Sequence, residues 1–64
     1  MNEVNDNTLL DMSENGALTL LKSANIEFRI TAIDGEHFIV TMDYKPLRRN
    51  LEIADGKVTS ITRG

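Results

Sequence analysis

Apolar and polar positions change period several times along the chain, and each change marks an element. Residues 1–8 are rich in Asn and acid and carry no apolar period, which predicts a segment that frays or lies along the surface and carries no function. From Asp11 the pattern turns helical: Ala17, Leu20, Leu21 and Ala24 recur at i, i+3, i+4 and i+7. Asp11 with Glu14 three residues on has the spacing of a capping box. Gly16 weakens such a helix by roughly 1 kcal/mol relative to Ala. Asn25, which tolerates the left-handed conformation, is the expected stop.

The period then falls to two. Ile26-Glu27-Phe28-Arg29-Ile30-Thr31-Ala32 alternates, which predicts a strand with Ile26, Phe28 and Ile30 on its buried face. Leu51 and Ile53 alternate with Asn50 and Glu52, and Val58 and Ile61 follow Asp55-Gly56; this dipeptide supplies the positive φ angles of a tight hairpin turn. Residues 33–50, between these elements, admit two readings. Asp34-Gly35 could open another hairpin, with Glu36 to Tyr44 as a regular strand presenting Phe38, Val40 and Met42, so that the chain is a small β-meander interaction module. Alternatively the stretch is an exposed loop of about residues 35–49, since Pro46 sits amid charges and suits a strand interior poorly. Long irregular connections in small domains are usually functional or disordered.

Composition narrows the classes. Sixty-four residues make one domain that buries only about 60% of its unfolded surface, and without cysteine no disulfide reinforces it, so packing carries the fold. A 41% hydrophobic and 27% charged chain is nonetheless globular in type. The net charge of -3, with acids interspersed among the seven Lys and Arg, argues against nucleic acid and anionic membranes as partners. No apolar run approaches the roughly 20 residues of a membrane helix. The acidic start is the reverse of a signal peptide, so the expectation is a cytoplasmic chain or the mature form of an exported one. Ser13, Ser23 and Ser60 are candidate nucleophiles beside the single His37, but none sits in a catalytic motif, and no enzyme activity or cofactor is expected. Asp34, Glu36 and His37 read as solvated surface rather than a metal site.

Within the disputed stretch, Phe38-Ile39-Val40-Thr41-Met42-Asp43-Tyr44-Lys45-Pro46-Leu47-Arg48-Arg49-Asn50-Leu51-Glu52-Ile53 resembles the binding loop and following strand of the potato inhibitor I family of serine protease inhibitors. It is closer still to that family's small bacterial and fungal elastase-inhibitor branch, and the likeness extends from about Ile26 to Gly64. The resemblance implies a scissile bond between Met42 and Asp43, with Met42 in the protease S1 pocket, Ile39, Val40 and Thr41 before it, and Tyr44 and Lys45 after it. It implies that Arg48 and Asn50 tether the loop from below. The chain departs from the branch at Arg49, where an apolar residue is common, at Asp34-Gly35, where Pro-Gly is common, and at Arg63, where many members have one cysteine of a pair.

The residue types suit that role chemically. A lone Met is most often a core residue, yet Met is also long, unbranched and polarizable, as an apolar S1 pocket requires. Asp43 can accept charge-assisted hydrogen bonds from the Arg48 guanidinium and the Asn50 amide. Arg49 has no assigned role. The expectation is therefore an α+β domain: one helix packed on a small twisted mixed sheet, with a long exposed protease-binding loop. The first strand should run parallel to the strand that begins near Asn50, and the last strand antiparallel to it. The expected partner is a subtilisin-like or chymotrypsin-like serine protease, and the expected state a monomer. A scaffold of this kind that has lost its target is a further alternative.

Overall fold

The computed structural model describes residues 5–64; residues 1–4 of the N-terminal expectation lie outside the described residues. Two helices and four strands follow in the order α1 Asp6–Leu9, α2 Glu14–Ser23, β1 Phe28–Ile33, β2 Glu36–His37, β3 Arg49–Ala54 and β4 Lys57–Arg63. The strands form one sheet in the order β2-β1-β3-β4, with β1 parallel to β3 and the other two pairs antiparallel. The fold is thus α+β with a mixed sheet; the changes of period account for the helix and strands, not for the parallel pairing.

Helix α2 begins two residues later than the Asp11–Glu14 spacing suggests. Ser13 is the N-cap, its hydroxyl accepting from the Gly16 amide at 3.1 Å. Asp11 instead takes a left-handed φ of 68° and donates its amide to the Val58 carbonyl at 2.9 Å. The reason is competition: the 11–14 segment runs along the end of β4, where Val58 and Gly56 also bond Met12 and Glu14, and that pairing holds Asp11 out of a cap geometry. The stop is as expected. Asn25 has φ 59°, its amide reaches the Lys22 carbonyl, and Ile26 reaches Leu21, which together close the helix in a Schellman motif.

The helix lays Ala17 and Leu21 on the sheet, where they meet Leu9, Leu51, Ile53 and Val58 in the buried core. Phe28 and Ile30 of β1 are partly buried and pack against that core, as does Ile26, which precedes β1 instead of lying in it because its amide is taken up by the Leu21 carbonyl at the end of α2. Val58 and Ile61, three residues apart, cannot share one face of a regular strand. A register shift opposite Glu52 and Ile53 resolves this, pairing Ile53 with Val58 and Leu51 with Ile61. Asp55 and Gly56 both have positive φ, 56° and 74°, as the tight turn between β3 and β4 demands.

Residues 5–9 are more than a loose end. Asn5 caps the helical turn of α1 by accepting from the Asn7 amide, and Leu9 is fully buried. Asp6 bridges Arg49 at 2.9 Å and Arg63 at 3.3 Å, so it joins the start of the chain to both β3 and β4. The sequence reading assigned this stretch no role because its polar residues hide the single anchoring Leu.

Candidate functional site

The Asp34-Gly35 hairpin forms, with φ of 51° and 81°, but the strand after it is short. Glu36 and His37 pair with Ile33 and Ala32, Phe38 adds one amide to the Thr31 carbonyl at 2.9 Å, and the ladder ends there. Glu36 to Tyr44 is therefore not a regular strand. Residues 38–48 leave the sheet and return at Arg49, beside Phe28, so this exposed loop makes the parallel connection between β1 and β3 that in most folds a helix makes. The loop lies at the end of the sheet where β1 and β3 begin, and its span is narrower than residues 35–49, because Gly35 to His37 belong to the hairpin and Arg49 to β3.

Within the loop, Ile39 and Met42 are fully exposed, Met42 at 99% of its reference area, and Tyr44 and Leu47 project nearly as far. Thr41, Asp43 and Lys45 are exposed and Val40 is half-buried. Large apolar side chains are not held out in water by their own chemistry, since burying one contributes roughly 1.5–3 kcal/mol. The backbone beneath them must be held, and four groups hold it.

Arg48 is 5% exposed and lies under the loop. Its Nη2 donates to the Asp43 carbonyl at 2.9 Å, its Nη1 to the Asp43 carboxylate at 3.2 Å, and its Nε to the Gly64 carbonyl at 2.9 Å. Arg29, from β1, holds the other side of the Met42–Asp43 bond: Nη1 donates to the Thr41 hydroxyl at 3.1 Å and to the Thr41 carbonyl at 3.3 Å. The Thr41 hydroxyl in turn donates to the Asp43 carboxylate, which spans the bond from side chain to side chain. Lys45 pairs with Glu27 at 3.0 Å, pinning the outgoing arm to the segment before β1.

Asn50 supports the loop at one remove. Its amide does not reach Asp43; it donates to the Gly64 carbonyl at 3.2 Å, while its side-chain oxygen accepts from Arg29 Nε at 2.7 Å. The register explains this, since Asn50 is paired with Arg29 across β1 and β3 and with Thr62 across β3 and β4. Asn50 therefore orients Arg29, and Gly64 serves as the acceptor that fixes both Arg48 and Asn50. Gly64 has φ 144°, and a side chain there would crowd the Tyr44 ring at 3.4 Å.

Arg49 gains a role that spacing did not reveal. It is buried, pairs with Asp6, and donates to the Leu47 carbonyl, so the base of the loop is tied to α1. Arg63 shares the same carboxylate. Arg49 and Arg63 thus converge on one acid. Glu27, Arg29 and Asp6 are the residues that sequence reasoning missed. Arg29 alone had a signal, because pairing β1 with β3 in parallel places it opposite Asn50.

Electrostatics follow from these contacts. The Thr41 hydroxyl and the Arg48 guanidinium hold the Asp43 carboxyl down to about 2, against 3.8 for a free aspartate. Partial burial pushes Asp6 up, but hydrogen bonds and charge from Arg49 and Arg63 outweigh it and leave Asp6 below its ordinary value. At neutral pH both acids are ionised and both clamps are closed. Asp34, Glu36 and His37 remain exposed in their hairpin, and the described residues contain no group of three or more His, Asp or Glu side chains arranged to hold a metal ion. No helix among the described residues is long and apolar enough to cross a membrane.

The arrangement can present a tethered stretch of backbone, with Met42 fully exposed between its held neighbours, to the cleft of another molecule. Comparison with protein-family models, with curated proteins and with solved structures gives no match to this chain.

Proposed function

We propose that this chain is a reversible, substrate-like inhibitor of serine proteases of the subtilisin or chymotrypsin type, built on a potato inhibitor I-like scaffold with Met42–Asp43 as the scissile bond. The observation that carries this reading is a fully exposed Met42 flanked by two residues whose backbone carbonyls are each gripped from below, Thr41 by Arg29 and Asp43 by Arg48. A protease binds substrate extended, with one side chain in S1 and the scissile carbonyl at the catalytic serine and oxyanion donors. A loop already held in position loses little conformational freedom on binding, and preorganisation of this kind separates tight from weak interfaces of equal area.

On this reading the tethers also slow turnover. When the serine attacks the Met42 carbonyl, the leaving amine is that of Asp43, whose carboxylate and carbonyl stay on Arg48. The amine is thus kept beside the acyl-enzyme at an effective molarity that can reach on the order of 10⁵ M, and resealing competes with hydrolysis. Met42 fits an apolar S1 pocket. Ile39, Val40 and Thr41 occupy the sites before it, and Tyr44 and Lys45 those after it.

The test is titration of subtilisin and of chymotrypsin with the purified protein and with Met42→Gly. Stoichiometric inhibition of at least one enzyme, weakened by the substitution, is expected. No inhibition of either at micromolar concentration overturns the proposal.

A further inference from the structure

Met42 stands between the two tethered residues of the loop, at a position where a change of side-chain chemistry leaves every described tether in place. The supporting bonds run to the backbone and side chains of Thr41 and Asp43 and to the Lys45 ammonium; none involves the Met42 thioether. That thioether is also unshielded, with Met42 at 99% of its reference exposure, whereas Met12 is partly buried against the core with its methyl group beside the α2 N-terminus. Oxidation of methionine follows access. Among the described residues, one open thioether in the loop is therefore paired with one covered thioether inside.

We propose that Met42 is a selective oxidation site, and that its conversion to the sulfoxide by a peroxide switches off protease binding without unfolding the protein. The switch rests on the inhibitory reading given above. In the reaction the sulfur lone pair attacks one oxygen of hydrogen peroxide and the O–O bond breaks. The other oxygen leaves as hydroxide and takes up the proton of the transferred oxygen, giving water and the sulfoxide. Sulfur loses two electrons and the peroxide gains them. A dithiol-dependent sulfoxide reductase reverses the change, with the oxygen leaving as water and the dithiol becoming a disulfide.

The consequence is a matter of solvation. The thioether enters an apolar pocket at no polar cost, but the sulfoxide carries a strong acceptor that water satisfies on the free loop and an apolar S1 pocket does not. An acceptor buried without a partner weakens binding by roughly five- to 150-fold. Arg29 and Arg48 continue to hold Thr41 and Asp43, so the loop keeps its shape and loses only its anchor.

The experiment treats the full-length protein with graded hydrogen peroxide and follows two readouts. Peptide mass spectrometry measures oxygen uptake at Met42 and Met12, and the inhibition constant is measured against whichever of subtilisin and chymotrypsin the untreated protein inhibits. Met42 is expected to oxidise well before Met12, with inhibition falling in step with Met42 oxidation and the melting temperature unchanged. Met12→Leu should lose inhibition along the same peroxide course. Met42→Leu, whatever constant it starts from, should keep that constant throughout. Equal oxidation rates at Met12 and Met42, undiminished inhibition by the Met42 sulfoxide, or a peroxide-sensitive Met42→Leu would each overturn the proposal. Absence of inhibition before any peroxide is added overturns the inhibitory reading and the switch together, and is distinguished from failure of the switch by that untreated measurement.

Discussion

Replacing Arg48 by methionine keeps the length and apolar stem of the side chain and removes its guanidinium. Three good hydrogen bonds are lost, two to Asp43 and one to the Gly64 carbonyl. The Gly64 carbonyl retains the Asn50 amide at 3.2 Å and the Asp43 carboxylate is open to water, which leaves the Asp43 carbonyl, on an exposed residue, as the acceptor that loses its partner. The loss of folding stability therefore stays near that of the single charge-assisted bond to Gly64, about 2 kcal/mol, a drop in Tm of roughly 10 °C for a domain of this size. The effect on binding is larger than that global loss suggests. With Arg48 gone, two residues of loop backbone are free, and ordering each of them again costs about 1–2 kcal/mol. The inhibition constant should then rise roughly thirtyfold to a thousandfold. Progress curves with chymotrypsin and subtilisin at a temperature well below the variant's Tm measure it, and cleavage between Met42 and Asp43 should speed up in parallel. An Arg48→Met protein that melts lower but keeps its inhibition constant within twofold would show that Arg48 supports the fold and not the loop.

Other expectations concern the remaining tethers. Arg29→Met releases Thr41 while leaving Arg48 on Asp43, so it should weaken inhibition less than Arg48→Met does, and a chain in which it costs more would misplace the main tether. Because Asp43 is held at about 2 when folded and titrates near 3.8 when free, its tethers are intact above pH 3.8 and are lost as the pH falls toward 2. The carboxyl carbon resonance of Asp43 should therefore titrate with a midpoint near 2, and a midpoint near 3.8 would mean that the Thr41 and Arg48 contacts are absent in solution. Asp6→Asn strands Arg49, which is 7% exposed, without its anion. Allowing for the partial exposure of Asp6, the cost is about 1–3 kcal/mol, read as a fall in denaturation midpoint and in faster amide exchange at Leu9.

What could be read from sequence followed its periodicity. The α2 face, the Asn25 stop and the Asp55-Gly56 turn rest on local rules that tertiary structure had no reason to override. Asp34-Gly35 turns as the alternative hairpin reading had it, though the strand after it ends at His37, and the alternation expected from Ile26 is cut short because β1 starts at Phe28 and shifts register at Thr31. Parallel pairing of β1 with β3 was expected from the resemblance rather than from pattern. The α2 N-cap was misplaced because Asp11 is engaged by β4, a contact 47 residues away in the chain that no local rule encodes. Leu9 and Asp6 were invisible for a related reason: one buried Leu among polar residues has no period, and an Asp that gathers Arg49 and Arg63 announces itself only once the chain has folded. At the site, the Asp43–Arg48 pairing was implied by the resemblance and suited by the residue types, whereas the assignment of Asn50 to Asp43 failed because β-sheet register turns its side chain toward Arg29 and Gly64.

The central claim, that Met42–Asp43 is held as a resealable substrate bond, is tested most directly by incubating the protein with a stoichiometric amount of chymotrypsin or subtilisin and identifying the products by mass and N-terminal sequence. One new N-terminus at Asp43, formed slowly and reaching the same ratio of intact to cleaved protein from either starting form, is the result predicted. Rapid digestion at many bonds, or first cleavage anywhere outside the loop, would contradict it.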